Sequence, residues 1–205
     1  ACVSINGANR LGSNSLTELL VFGRRAALSA IECLQSGARP GSDKAFSAKA
    51  EAAQARIRAL FQRASGTESV AGLRKEMMRA MEQHAGIYRT GEGLAEACSQ
   101  LAKLRHRYSG IELQDKTNVY NTDLLQALEL GSMLDCAEAV VACAAARKES
   151  RGAHQRLEYP ERDDTNFLRH SLAFYHPTQP PRVDFRDVVI TTSQPGVRHY
   201  SGRHK

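Results

Sequence analysis

Hydrophobic positions along the chain recur at the three-and-four spacing of helices, in blocks separated by short glycine- and serine-rich breaks. Leu16, Leu19, Leu20, Phe22, Ala26, Ala27, Ala30 and Ile31 share one face of a first helix, and Ser13, Asn14 and Ser15 all offer capping side chains at its start. The stretch 35–44, with Gly37, Pro40 and Gly41, interrupts that pattern and predicts a boundary. An alanine-rich run over 45–64 predicts a second helix, whose heavier apolar face carries Ile57, Leu60 and Phe61. Val70, Leu73, Met77, Met81 and Ala85 define a third helix. After a turn over 86–93, Leu94, Cys98, Leu101 and Leu104 define a fourth. Asn121 and Thr122 then cap a long helix in which Leu124, Leu125, Leu128, Leu134, Val140, Val141, Ala144 and Ala145 are expected to be deeply buried. Helices of these lengths joined by short connections describe an antiparallel bundle.

Past Arg147 the pattern changes. Residues 148–164 read as a polar loop with little apolar periodicity, and two alternating runs over 167–175 and 182–192 flank Pro177, Pro180 and Pro181. A double proline cannot lie within a central strand, so these runs predict a small hairpin or edge strands, followed by a basic tail over 193–205 that is expected to fray. Composition supports this picture. With 42% hydrophobic and 24% charged residues the chain is of ordinary globular make-up, and the lack of Trp with only 6% aromatics disfavours a sandwich or barrel.

Charge and cysteines narrow the function classes. Lys and Arg number 28 against 22 Asp and Glu, a formal +6. The excess is spread along the chain without a basic block, zinc finger or aromatic RNA-binding motif, so nucleic acid is not an expected partner. The five cysteines form neither a CxxC pair nor a Cys/His cluster, which excludes a zinc site and predicts reduced, buried thiols of a cytosol-like compartment. No apolar run approaches the roughly 18 residues needed to span a bilayer. No signal peptide precedes Ala1, and an apolar start without an initiator Met reads as a chain cut from a longer one.

Candidate chemistry concentrates in Ala8 to Leu16. A glycine followed by Ser13, Asn14 and Ser15 at a helix start offers backbone N–H groups and short hydroxyls suited to a phosphate, a flavin carbonyl or a carboxylate, and Arg10 is placed to hold a carboxylate with two parallel hydrogen bonds. On pattern alone, Ser15 as a mere helix cap and Arg10 as a surface charge explain the same residues. The segment ANRLGSNSLTELLVFGRRA resembles the one that closes the flavin domain in fumarate reductase and succinate dehydrogenase flavoprotein subunits. MEQHAGIYRTGEGL, VYNTDLLQALELG, ARKESRGAHQRLEYPERDDTNFLRHSLAF and VVITTSQPGVRHY continue the resemblance in the same order, nearest to the quinol:fumarate reductase branch.

The resemblance implies a mainly α fold with three parts. Residues 1–34 would be the closing segment of an FAD-binding α/β domain, 35–149 a helical bundle, and 150–205 a small C-terminal domain with short strands. It also implies that Arg10 grips a carboxylate of a dicarboxylate substrate, that Ser15 and Leu16 contact FAD, and that hydride passes between flavin and succinate or fumarate. The family's glycine-rich dinucleotide fingerprint, flavin-linking histidine and proton-moving arginine belong before Ala1, so no catalytic residue and no metal ligand are assigned to this chain. Implied partners are the rest of the flavoprotein subunit, an iron–sulfur subunit and, indirectly, membrane anchor subunits, with the assembly peripheral on the cytoplasmic face of a bacterial inner membrane. A non-catalytic helical interaction module that kept the fold without the flavin half is the alternative.

Other chemistry-bearing residues have simpler readings. His154 beside Ser150 resembles a base and a nucleophile, but no third group is recognisable, and hydrogen bonds locking the last helix to the flavin domain or a partner subunit are the expectation. Asp163 and Asp164 are expected to cap a helix rather than form a catalytic dyad. Met77, Met78, Met81 and Met133 are expected as core fillers.

Overall fold

The computed structural model describes residues 14–37, 41–64, 66–192 and 194–196. Five long helices appear where the periodicity places them: α1 (Asn14–Gln35), α2 (Asp43–Gln62), α3 (Val70–Ala85), α4 (Gly91–Tyr108) and α5 (Thr122–Ala146). The starts of the last four are set by short polar side chains. Ser42, Ser69, Thr90 and Asn121 are extended in backbone, and each accepts the N–H three residues ahead, satisfying one of the orphan donors of the first turn.

The core is built by α3, α4 and α5, which pack on one another. Their directions follow from the contacts. Glu68, just before α3, bridges Ile111, just after α4, and on α5 the partners of α4 run in reverse, Tyr108 to Ala127 and Arg105 to Asp135 and Glu138. The three helices therefore run antiparallel in sequence, as the short connections require. Leu73, Met77, Leu94, Leu101, Leu104, Leu130, Leu134 and Val141 fill the interior, with Ile111 and Leu113 closing one end. Only the C-terminal part of α2 joins them, through Leu60 and the half-buried Phe61.

The structure corrects several expectations. Of the α5 residues read as buried, Leu134, Val141 and Ala144 are, but Leu125 and Val140 are about half exposed. The apolar residues of α5 are spread round its axis, so pattern alone cannot tell which side meets a neighbour. Met77 is a core residue, Met81 and Met133 pack against the core, and Met78 faces outward. The thiols are not buried as a group: Cys33, Cys98 and Cys136 are exposed and Cys143 is half-buried, all four unbridged, while Cys2 lies outside the described residues.

Two small sheets complete the fold. β1 (Tyr88–Arg89), in the turn between α3 and α4, pairs in parallel with β2 (Gln155–Arg156), inside the stretch read as a polar loop. After one helical turn, α6 (Asp164–Phe167), capped by Asp163 as expected, β3 (Arg169–Phe174) and β4 (Arg182–Asp187) form an antiparallel hairpin in register from Arg169–Asp187 to Phe174–Arg182. The prolines fall in its connection, and β4 ends five residues sooner than the alternation suggested. The hairpin rests on α5. Among the described residues no helix is long and apolar enough to cross a membrane.

Candidate functional site

The site read from sequence is described only in part. Arg10 lies outside the described residues. Ser15 is half-buried and Leu16 is 72% exposed in the first turn of α1, where no acidic residue offsets the positive end of the helix.

The second chemistry-bearing region, 147–164, is a densely bonded junction. Glu149 is wholly buried. One carboxylate oxygen accepts from Arg147 and, at 2.9 Å, from Arg151 Nε; the other accepts from Arg151 Nη2 at 3.0 Å and from the Asp163 N–H at 2.9 Å. Two guanidiniums and a backbone donor thus replace the water this carboxylate loses on burial. Arg147 reaches on to the carbonyls of Phe167 and Arg169 and to the Ser171 hydroxyl, and it lies over the rings of Phe167 and Phe185. One residue after α5 therefore ties that helix to α6 and both strands of the hairpin.

Ser150 and His154 do not meet. The Ser150 hydroxyl donates to the Tyr159 carbonyl at 2.7 Å and accepts the Arg156 N–H at 2.9 Å. His154 sits between Arg89 Nη1, 2.9 Å from its Nδ1, and the Arg147 carbonyl, 3.1 Å from its Nε2. A guanidinium can only donate, so Nδ1 is the acceptor and the proton sits on Nε2. Burial, and after it the charges of Arg89, Arg156 and Arg147, hold His154 below its ordinary pKa, with the Arg147 carbonyl bond opposing them. It is a neutral spacer whose hydrogen bonds run to Arg89 and the Arg147 carbonyl of this chain, not to the flavin domain or partner subunit expected from the sequence. Asp164 is engaged too, accepting from Arg151 and Arg162 at 2.6 Å, which holds its carboxyl below the usual range.

Sequence reading missed Arg89 and Arg156, opposite each other in the β1–β2 register. Arg89 Nε donates to the Ala85 and Gly86 carbonyls that end α3, and Arg156 Nη1 donates to the Ala144, Ala145 and Arg147 carbonyls that end α5. Their one local signal is an arginine beside Tyr88 or Leu157 in a short extended segment.

Two clefts remain. One lies between α2 and the α3–α5 face, against Ile57, Leu128 and Met133. The other, about 430 Å³, lies beneath the β3–β4 connection against Cys98, Ala142 and Pro177. The cation on the second, Arg105, is held by Asp135 at 2.5 Å and Glu138 at 2.6 Å. Among the described residues no buried side-chain polar atom lacks a partner, and no group of three His, Cys, Asp or Glu residues is set to hold a metal. Among the described residues this arrangement holds and presents surfaces.

A three-helix core with a buried Glu149–arginine junction and a hairpin laid on the last helix is an architecture shared with the C-terminal part of a flavoprotein family. The chain belongs to the fumarate reductase and succinate dehydrogenase flavoprotein family and corresponds to its C-terminal part: the family model described as fumarate reductase flavoprotein C-term matches residues 74–200. The fumarate reductase flavoprotein subunit of Proteus vulgaris is 46% identical over 202 residues, covering 98% of this chain and 33% of that relative. The succinate dehydrogenase flavoprotein subunit of Rickettsia bellii is 43% identical over 197 residues, covering 94% and 32%. A solved structure of the Escherichia coli quinol fumarate reductase flavoprotein FrdA superposes with a TM-score of 0.90 at 45% identity, over 100% of this chain and 35% of that one. The chain therefore spans about a third of the length of the curated relatives it matches. The resemblance carried by the five sequence blocks is confirmed, as is the mainly helical fold.

Proposed function

We propose that this chain, joined to an upstream part twice its length, forms a flavoprotein subunit that interconverts fumarate and succinate. The observation that carries the reading is the 46% identity to a fumarate reductase flavoprotein subunit across 98% of the chain. In this reading 1–34 closes an FAD-binding domain, 35–149 is the helical bundle and 150–205 a small C-terminal domain. Electrons exchange with quinone through an iron–sulfur subunit held by membrane anchors, with the assembly peripheral on the cytoplasmic side of the inner membrane. FAD, when bound, supplies hydride transfer to or from a carbon of the dicarboxylate.

The residues of this chain that face the group fit it. Leu16 projects from the first turn of α1 unused by the bundle, and a helix start without an acidic residue in its first turn suits an electron-rich edge. Ser15 and Leu16 border the cofactor, while Arg10 clamps one carboxylate of the substrate and so fixes the carbon that reacts.

Arg10→Lys in the full-length subunit assembled with its iron–sulfur partner tests this. Lysine keeps the charge but loses the planar fork, so kcat/KM for succinate and fumarate should fall about 30- to 1000-fold, on the order of 2–4 kcal/mol, with flavin content unchanged. Unchanged turnover in both directions would make Arg10 structural, and a wild-type assembly inactive on both dicarboxylates would overturn the reading.

A further inference from the structure

Loop 112–121, between α4 and α5, holds Tyr120 in a left-handed backbone conformation at φ 51°, where a bulky side chain rarely sits. Tyr120 is the only non-glycine residue with positive φ among the described residues, and it is 97% exposed beside Val119 at 69%. The loop is nevertheless rigidly specified. The Asp123 carboxylate accepts the N–H groups of Gln114 and Asp115, Asp115 accepts the Thr117 N–H at 2.7 Å, and the Asn121 amide donates to the Asp115 and Thr117 carbonyls. Lys116 pins the whole to the end of α2 through the Phe61 and Arg63 carbonyls. All these bonds fix a strained residue whose ring and hydroxyl touch no partner in the described chain. Strain kept in place by its surroundings marks a functional position, and an exposed aromatic with prepaid ordering is what an interface anchor needs.

We propose that Val119 and Tyr120 form a pre-set docking knob for the upstream part of the same subunit. That part would receive the phenol ring and the valine in an apolar recess with a hydrogen-bond acceptor for the hydroxyl. The inference rests on the family reading: full-length relatives are three times as long, the matched region is their C-terminal part, and so a body about twice this chain's size precedes residue 1. Being covalently continuous, it stands at high effective concentration near the exposed surfaces of this chain.

Tyr120→Gly and Tyr120→Asn both accept the left-handed backbone and remove the ring. In the 205-residue chain each should leave Tm unchanged or raise it, by up to ~4 °C, whereas in the full-length subunit each should lower Tm by ~3 °C or more without changing affinity for the iron–sulfur subunit. A full-length Tm that stays level or rises with that of the short chain overturns the proposal. An equal loss in both overturns it by placing the ring's role within this chain. A tenfold loss of iron–sulfur subunit affinity at unchanged full-length Tm assigns the knob to that subunit instead. Lack of activity in the wild-type full-length assembly would overturn the functional reading alone, since the Tm comparison does not depend on it.

Discussion

His154 shows how a residue that resembles a catalytic base is made inert. Its imidazole must stay neutral to accept from Arg89, and three guanidiniums surround it, so protonation is disfavoured in the folded chain. The sign of the linkage follows. The folded pKa lies below the unfolded value of about 6.5, so the contribution is fully present above that pH. As pH falls from there toward the folded pKa, the unfolded chain takes up a proton that the native one refuses, and stability drops by at most about 1.4 kcal/mol per pH unit. His154→Gln cannot titrate, so urea unfolding between pH 7 and 5 should show a shallower fall in the midpoint than for the parent chain. Equal slopes would show that the imidazole takes up its proton without disturbing the junction. Glu149, a wholly buried carboxylate, is tolerated because Arg147, Arg151 and the Asp163 N–H all point at it.

At the scale of elements, helix starts and helix ends are encoded differently. Starts are local: Ser42, Ser69, Thr90 and Asn121 lie next to the N–H groups they bind, which is why the α5 cap and the Asp163 cap of α6 are legible in sequence. Ends are less so. The last carbonyls of α3 are met by Arg89, three and four residues on, but those of α5 by Arg156, eleven and twelve residues on, and those of α2 by Lys116, more than fifty residues on. No periodicity carries that information, so 148–164 reads as a featureless loop although it closes the end of α5 and buries a carboxylate. The same contrast runs through the core, where α3 and α4 show one apolar stripe each and were legible, while α5 is apolar all round and its outward Leu125 and Val140 were not. Arg89→Lys tests the cap on the end of α3 and its link to His154. An ammonium can bond the Ala85 and Gly86 carbonyls or approach His154, but it lacks the spread of Nε and Nη1 to do both. The expected loss is about 1–2 kcal/mol in global stability, with faster amide exchange confined to the end of α3 and to β1. Parent-like exchange there would mean that the strand pairing alone holds the turn.

For the whole molecule, the question is what the chain does without its upstream part. The bundle has a core of its own, but α1 does not share it: Leu16 is 72%, Leu20 77% and Leu34 78% exposed, and among the described residues the helix makes no extensive contact with another element. Exposed leucines along one helix suit an element whose partner comes from elsewhere in the full subunit. The flavin contacts proposed for this chain, Ser15 and Leu16, sit at the first turn of that same helix, and no contact to the pyrophosphate or adenine of FAD is proposed among the described residues. Two side chains and one helix start cannot offset the cost of ordering so large a ligand, so the 205-residue chain should purify colourless. Added FAD should leave its Tm unmoved, since a ligand at a hundred times its Kd would raise stability by about 2.7 kcal/mol, several degrees for a chain of this size. The full-length subunit, prepared in parallel, should carry a flavin absorbance band. A yellow short chain, or a Tm that climbs with FAD, would show that the C-terminal third holds a flavin site of its own and that the proposed division of labour is wrong.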